Sequence, residues 1–187
     1  MSWHVIPLSN VAPIPWRNGG GITRELIAWP DAENWTWRIS VAEVASDGAF
    51  SCFEGVRRWL TILAGAGVRL SMDANLIELS EASDPLAFSG STSVYCNLLN
   101  GPVQDLNLML RDGANTGQMQ RVCGVRRILI DVAKVVAVYS VNTPAVLQLN
   151  GNHFNLPKST LAWQTLSVGA ELVIEASHAI LMDVQTH

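Results

Sequence analysis

Charge is scarce in this 187-residue chain: 12 basic and 16 acidic side chains make up 15% of it, against about 25% in an ordinary soluble domain. So little charge implies a large internal surface. The formal net charge of −4 and the lack of basic clusters exclude the electrostatic footprint of a nucleic-acid binder. Cysteine is also rare. Cys52, Cys96 and Cys123 lie far apart with no C-x-x-C pair, which excludes a disulfide framework or zinc knuckle and leaves three reduced packing residues. The four histidines, His4, His153, His178 and His187, form no H-x-H or H-x3-H pair, so metal binding is not expected. His153 and His178 are read as surface or hairpin residues unless they meet in the fold. G-x-S-x-G and Gly-x4-Gly-Lys are both missing, which removes the usual signatures of a nucleophilic hydrolase and of a phosphate loop. The longest uncharged stretch, Val135–Pro157, is broken by Asn142, Pro144, Gln148 and Asn150, so it does not read as a membrane helix. The opening MSWHVIPLSN has neither a basic n-region nor an apolar h-region, and a cytoplasmic location is expected.

What is present is apolar and alternating. Residues of the apolar class make up 49% of the chain, and period-two patterns bounded by Gly, Pro, Asn and Asp recur throughout, which reads as all-β with little helix. From Trp35 to Val41, Trp, Trp, Ile and Val share one face, while Thr36, Arg38 and Ser40 share the other. From Asp105 to Arg111, leucines alternate with Asp105, Asn107, Met109 and Arg111. Further strands are expected at Ile22–Ile27, Arg58–Leu63, Val68–Met72, Leu76–Leu79, Val94–Leu98, Ile128–Ala133, Val135–Val141, Ala145–Leu149, His153–Leu156, Thr160–Gln164, Leu172–Ala176 and Ala179–Val184.

The segments Leu70–Leu79 and Leu147–Leu156 align without a gap 77 positions apart. Each reads as a hairpin around an Asn- or Asp-bearing turn. Duplication explains this, as does the frequency of such hairpins. If the chain is duplicated, it forms two β-barrels or sandwiches, residues 1–115 and 116–187, joined through the polar stretch Asp112–Gln120.

Three segments, PWRNGGGITRE at Pro15–Glu25, Trp37–Leu70 and DLNLMLR at Asp105–Arg111, together resemble the HutD/Ves family of small bacterial proteins. The resemblance implies a bicupin, two cupin-like double-stranded β-helix halves. It also implies an association with histidine utilisation, as a factor restraining that pathway, and no established reaction. Cupin enzymes typically hold a metal through histidines and a glutamate in a G-x5-H-x-H-x3–4-E motif. The matching region here, DGAFSCFEGVRRWLTILAGAG, contains no histidine.

Polar residues placed by alternation remain as site candidates. Arg38, flanked by Thr36 and Ser40, is a guanidinium fork suited to a carboxylate. If its face lines a barrel mouth, Asn107, Met109 and Arg111 face the same space. If the sheet is a sandwich, both polar faces are simply wet. Asn18-Gly19-Gly20-Gly21 can aim successive N–H groups at an anion, act as a lid, or form a plain turn. Thr23 and Glu25 share a face, and Glu25 either pairs with Arg38 or Arg58 or accepts a proton. Phe50 and Phe53 read as plugs of a barrel end. Arg57 and Arg58 point to opposite faces, and Arg58, at the arginine position of the family's G-x-x-R pattern, is taken as interior. Four of the seven tryptophans fall within Trp16–Trp37, where they either stack on a planar ligand or plug the core.

The expected ligand-binding set is therefore Arg38, Arg58, Asn18, Gly19, Gly20, Thr23, Glu25, Ser40, Phe50, Asn107 and Met109, with no catalytic or metal-binding residue and no cofactor. The expected function is metal-free binding of a small anionic metabolite such as urocanate or N-formylglutamate, which modulates histidine utilisation. A metal-independent isomerase or lyase acting on a small acid, with Glu25 or a histidine as base, is the alternative. A protein-interaction module, for a regulator or for a homodimer, is a third. Neither nucleic acid nor membrane is an expected partner.

Overall fold

The computed structural model describes residues 2–113 and 115–186. The fold is all-β, as alternation predicts: among the described residues there are seventeen strands and a single 3-10 turn at Leu8–Asn10. No helix among these residues is long and apolar enough to cross a membrane.

The chain divides into two compact units. One runs from Ala12 to the boundary at Ala114, and the other joins the first eleven residues to the chain from Asn115 onward. The expected division at residue 115 therefore needs a correction at the N-terminus. His4–Pro7 forms an antiparallel ladder with Thr160–Leu166, so residues 1–11 belong with the C-terminal unit. A four-residue strand has no independent stability, and the sheet that completes its hydrogen bonds decides where it belongs.

In the Ala12–Ala114 unit, a six-stranded sheet runs in the order Ile14–Pro15, Gly21–Trp29, Trp37–Val44, Val103–Arg111, Val56–Ala64, Leu86–Ser89. A four-stranded sheet runs in the order Gly48–Ala49, Val94–Leu98, Val68–Met72, Asn75–Leu79. Leu60, Ile62, Leu70, Val94 and Cys96, drawn from both sheets, form one core. The two patterned strands keep their predicted faces. Trp37, Ile39, Val41, Leu106, Leu108 and Leu110 are all buried to within 1%. On the opposite face Ser40, Asp105, Asn107 and Met109 are buried as well. A sandwich with a wet outer face is thereby excluded for these strands, and the low charge content is explained: both faces of the central strands lie inside.

The other unit is one seven-stranded sheet that includes Lys134–Ser140, Ala145–Leu149 and Asn152–Leu156. Its core includes Val136, Val138, Leu147, Ala179 and Leu181. Three expectations fail here. Leu172–Ala176 and Ala179–Val184 are one strand, Glu171–Thr186, whose first half pairs with Ala145–Leu149 and whose second half pairs with Lys134–Ser140. The stretch read as a linker, Asp112–Gln120, instead enters the strand Asn115–Leu129, while Ile130–Ala133 lies outside any strand. Polar alternation in Gln118 and Gln120 marks an edge strand, which a composition-based linker reading does not distinguish from a loop. Asn115–Leu129 keeps its long ladder with Glu171–Thr186 by shifting register between Val122 and Gly124, where Gly124 takes φ +92°.

The repeat has a structural counterpart. Leu70 sits between Ile77 and Cys96, and Leu147 sits between Phe154 and Ile174. Met72 faces Asn75 across the first turn as Leu149 faces Asn152 across the second, and Asp73 and Asn150 both adopt φ near +50°. Leu70 and Leu147 are both fully buried, so the 77-residue offset preserves register and facing in the two hairpins.

Candidate functional site

The inward face of the Ala12–Ala114 unit is built by cross-strand pairing. Arg38 and Arg58 lie on either side of Met109, Ser40 and Leu60 on either side of Asn107, and Ala42 and Ile62 on either side of Asp105. Three adjacent strands thus place two guanidiniums, an amide and a carboxyl on one surface. That surface walls a cavity of about 510 Å³, whose lining includes Arg38, Ser40, Arg58, Asp105, Asn107 and Met109.

Arg58 is 7% exposed. Its Nη1 donates to Ser51 O (3.1 Å) and its Nη2 to Asn107 Oδ1 (3.0 Å), while the buried Nε has no partner. Phe88, Phe53 and Phe50 surround the guanidinium, with ring centroids 5.1, 5.5 and 5.9 Å from Cζ. This cage favours the cation by its ring faces and removes it from water. Burial pulls the Arg58 pKa down, opposed by the charge of Asp105 and reinforced by that of Arg38. An arginine nonetheless stays charged at neutral pH.

Asn107 turns its other end to Asp105, donating from Nδ2 to Oδ1 at 2.6 Å. Asp105 is 2% exposed, and burial pushes its carboxyl up to about 7, with Arg58 and the Asn107 hydrogen bond pulling the other way. Arg38 Nε lies 2.8 Å from Glu25 Oε2 in an ion pair whose N–H is not aimed along the contact. Among the described residues, neither Nη of Arg38 has a hydrogen bond within the protein.

The loop over the cavity is fixed at several points. Asp47 accepts from Leu98 N (2.8 Å) and Asn97 Nδ2 (2.9 Å), bonds that hold its carboxyl below the usual range. Phe50 N donates to Val94 O, and Phe53 N donates to Gly90 O. On the other side, Trp16 Nε1 donates to Thr23 Oγ1 at 2.7 Å, so an indole and a hydroxyl are positioned together on the wall.

Eight of the eleven expected residues, Asn18, Thr23, Arg38, Ser40, Phe50, Arg58, Asn107 and Met109, line this cavity. Glu25, Gly19 and Gly20 do not. Glu25 is occupied by Arg38, one of the roles its position allowed. The glycine loop is a turn rather than an anion nest: Gly19 N donates to Trp16 O and Gly20 N to Asn18 Oδ1, so the amides that would have held an anion are already paired. The need for glycine is steric at Gly21, where a Cβ would sit 2.4 Å from Glu43 O, and conformational at Gly19, with φ +72°.

Arg111, expected to face the same space, instead donates to Trp35 O at 2.7 Å and stacks on that indole. Arg57 is exposed over Trp59, as its opposite facing requires. Of the four clustered tryptophans, Trp16 alone lines the cavity. Cys52 and Cys123 are exposed rather than packed; Cys96 is buried, and burial drives its thiol up to about 12.

Eight wall residues lie outside the expected binding set, among them Asp105, Arg17 and Phe53. Asp105 carried a usable signal, since it lies in phase with Asn107 and Met109. Arg17 and Phe53 sit in segments without periodicity, where alternation carries no information about facing.

The cupin fold raises the question of a divalent cation, and the donor set does not suit one. Among the described residues the wall offers three guanidiniums, Arg17, Arg38 and Arg58, no imidazole, and a single carboxyl already bonded to Asn107; the positive charges repel a cation. Elsewhere, His4 stacks on Trp163, His153 lies opposite Gln148 in a hairpin, and His178 contacts Arg121; His187 lies outside the described residues. Among the described residues, no three His, Cys, Asp or Glu side chains gather as metal ligands.

Known proteins agree with this architecture. The fold is that of the cupins: an oxalate decarboxylase from Lactobacillus farciminis, in a formate complex, superposes with a TM-score of 0.67 at 10% identity over 98% of this chain and 86% of that one. HutD from Pseudomonas fluorescens superposes with a TM-score of 0.86 at 29% identity, over the full length of both chains. An uncharacterised 21.2 kDa protein in the hutC 3′ region of Pseudomonas putida is 32% identical over 140 residues, covering 74% of this chain and 73% of that protein. Since the HutD family profile also matches residues 9–183, this chain belongs to the HutD family.

Proposed function

We propose that the cavity of the Ala12–Ala114 unit binds a small carboxylate metabolite without transforming it, and that occupancy modulates histidine utilisation. The observation that carries this reading is the pair of guanidiniums flanking Met109, one of them, Arg38, with neither Nη hydrogen-bonded among the described residues. Such a fork holds a carboxylate through two parallel charge-assisted bonds. A cavity of about 510 Å³ falls within the range of roughly 300–1,000 Å³ typical of small-ligand sites, and Trp16 offers a flat apolar face.

The pathway is suggested by relatives rather than by geometry: one is described by its position beside hutC, another is named HutD and was solved in a formate condition. Urocanate and N-formylglutamate are the candidate ligands. Arg38 and Arg58 would clamp the carboxylate, with Thr23, Ser40 and Asn18 supplying hydrogen bonds. The alternative of an isomerase or lyase loses support for the bases the sequence suggested, because Glu25 is paired with Arg38 and, among the described residues, no histidine lines the cavity.

Isothermal titration of both acids tests the proposal. Wild type is expected to release heat with at least one of them, and Arg38→Ala to weaken that binding by about 10- to 100-fold, the worth of a charge-assisted hydrogen bond. Silence with both acids, or an unaffected variant, refutes it.

A further inference from the structure

The chain Asp105–Asn107–Arg58 is more than scaffolding. Asn107 bridges the two charges, accepting from Arg58 Nη2 at 3.0 Å and donating to Asp105 Oδ1 at 2.6 Å. All three side chains are at least nine-tenths buried and all three line the cavity. An ionised Asp105 therefore offsets the very guanidinium that a ligand carboxylate must approach. Two anions cannot share one buried cation without one of them being neutralised, in the way that two close carboxyls retain a proton between them.

Resting on the ligand class proposed above, we infer that Asp105 is an internal competitor for Arg58, so that a small carboxylate enters this site together with a proton. The proton comes from solvent and stays on the Asp105 carboxyl; no covalent bond is formed or broken between ligand and protein. Asp105 acts here through Arg58, as a positioning and charge-compensating residue.

The wall that holds Asp105 also carries Arg17, from the segment before Gly21–Trp29, and the remaining surroundings leave Asp105 as the group that titrates. From Val56–Ala64, Arg58 faces it. From Val94–Leu98, Cys96 faces it, and that thiol stays neutral at physiological pH because burial holds it near 12. From Trp37–Val44, Arg38 acts on Arg58 and is itself compensated by Glu25 of Gly21–Trp29. From the loop before Val56, Cys52 lies close enough to influence Arg58 and is exposed to solvent. Asp105 itself sits near 7 in the free site, where a small change in local charge moves its occupancy furthest. A bound anion adds negative charge beside it and raises it further, so binding takes up protons and affinity falls as pH rises.

The test is calorimetry of wild type and Asp105→Asn between pH 6 and pH 9, with N-formylglutamate, which has no group titrating in that range, and with urocanate above pH 7.5, where its imidazole is neutral. Wild-type affinity is expected to fall with rising pH and to approach about tenfold per unit above pH 7, the limit for one linked proton. Titrations in two buffers of different ionisation heat should show uptake approaching one proton per ligand near pH 8. Asp105→Asn, which keeps an acceptor for Asn107, should bind with a flat pH profile and more tightly than wild type at pH 9. A flat wild-type profile with no proton uptake overturns the coupling while leaving carboxylate binding intact. A variant that keeps the wild-type slope also overturns it. Absence of binding by either acid at every pH removes both this inference and the function on which it rests.

Discussion

Asp105→Asn also makes a prediction that needs no ligand. An aspartate in an unfolded chain titrates near 3.9, whereas the folded protein holds Asp105 at about 7. Between those values the folded state keeps a proton that the unfolded state has lost. A carboxyl raised in this way contributes stability that is fully present below the unfolded pKa and is lost as pH climbs through the folded one. Over pH 4.5 to 6.5 the difference stays between about three-quarters of a proton and one, so wild type should lose roughly 2.4 kcal/mol relative to Asp105→Asn. Above about pH 8 the gap should level off, since both states are then ionised. The other carboxylates titrate in both proteins and cancel in the comparison. The assay is urea denaturation of each protein at half-unit pH steps, with the two stability curves subtracted. The substitution leaves Arg58 without its counter-charge at high pH, so the absolute offset between the curves carries no weight; the slope does. Parallel curves between pH 4.5 and 6.5 would mean that Asp105 is ionised and hydrated in the fold, which would refute the buried placement and everything drawn from it.

Three further outcomes follow from the geometry. Gly21→Ala places a methyl 2.4 Å from Glu43 O and should destabilise by more than the roughly 1 kcal/mol expected for a left-handed backbone strain, whereas Gly19→Ala, with open space around it, should cost about that strain alone; thermal melts of the two variants make the comparison. Alkylation of the native protein followed by mass spectrometry should label Cys52 and Cys123 and spare Cys96 until denaturant is added, and native labelling of Cys96 would contradict its burial. Leu70→Ala and Leu147→Ala remove equivalent, fully buried side chains from the two hairpins, and each should cost about 2–5 kcal/mol in chemical denaturation; a neutral result for either would show that its hairpin is not part of a core.

Much of the architecture was legible in the amino-acid order, because strands announce themselves by alternation. Val68–Met72, Val94–Leu98 and Ala145–Leu149 fall where the pattern places them, and the 77-residue offset between the hairpins survives as matched register. The same alternation put Arg38, Ser40, Asn107 and Met109 on defined faces and set Arg57 opposite Arg58. It failed where facing is set by something other than period: in the loop bearing Phe53, in the glycine turn whose amides were claimed by Trp16 and Asn18, and in the polar edge strand after Asn115.

By itself, then, the sequence determined the all-β class, the strand faces, the repeat and the shortage of metal-ligating histidines, since each depends on local composition and spacing. Only the tertiary structure decided that both faces of the central strands are buried, that Asp105 reaches Arg58 through Asn107, and that Glu25 serves Arg38. Those relations join side chains from different strands, some far apart along the chain, and pairing register fixes them. Pairing register is a property of the closed sheet, which no single strand carries.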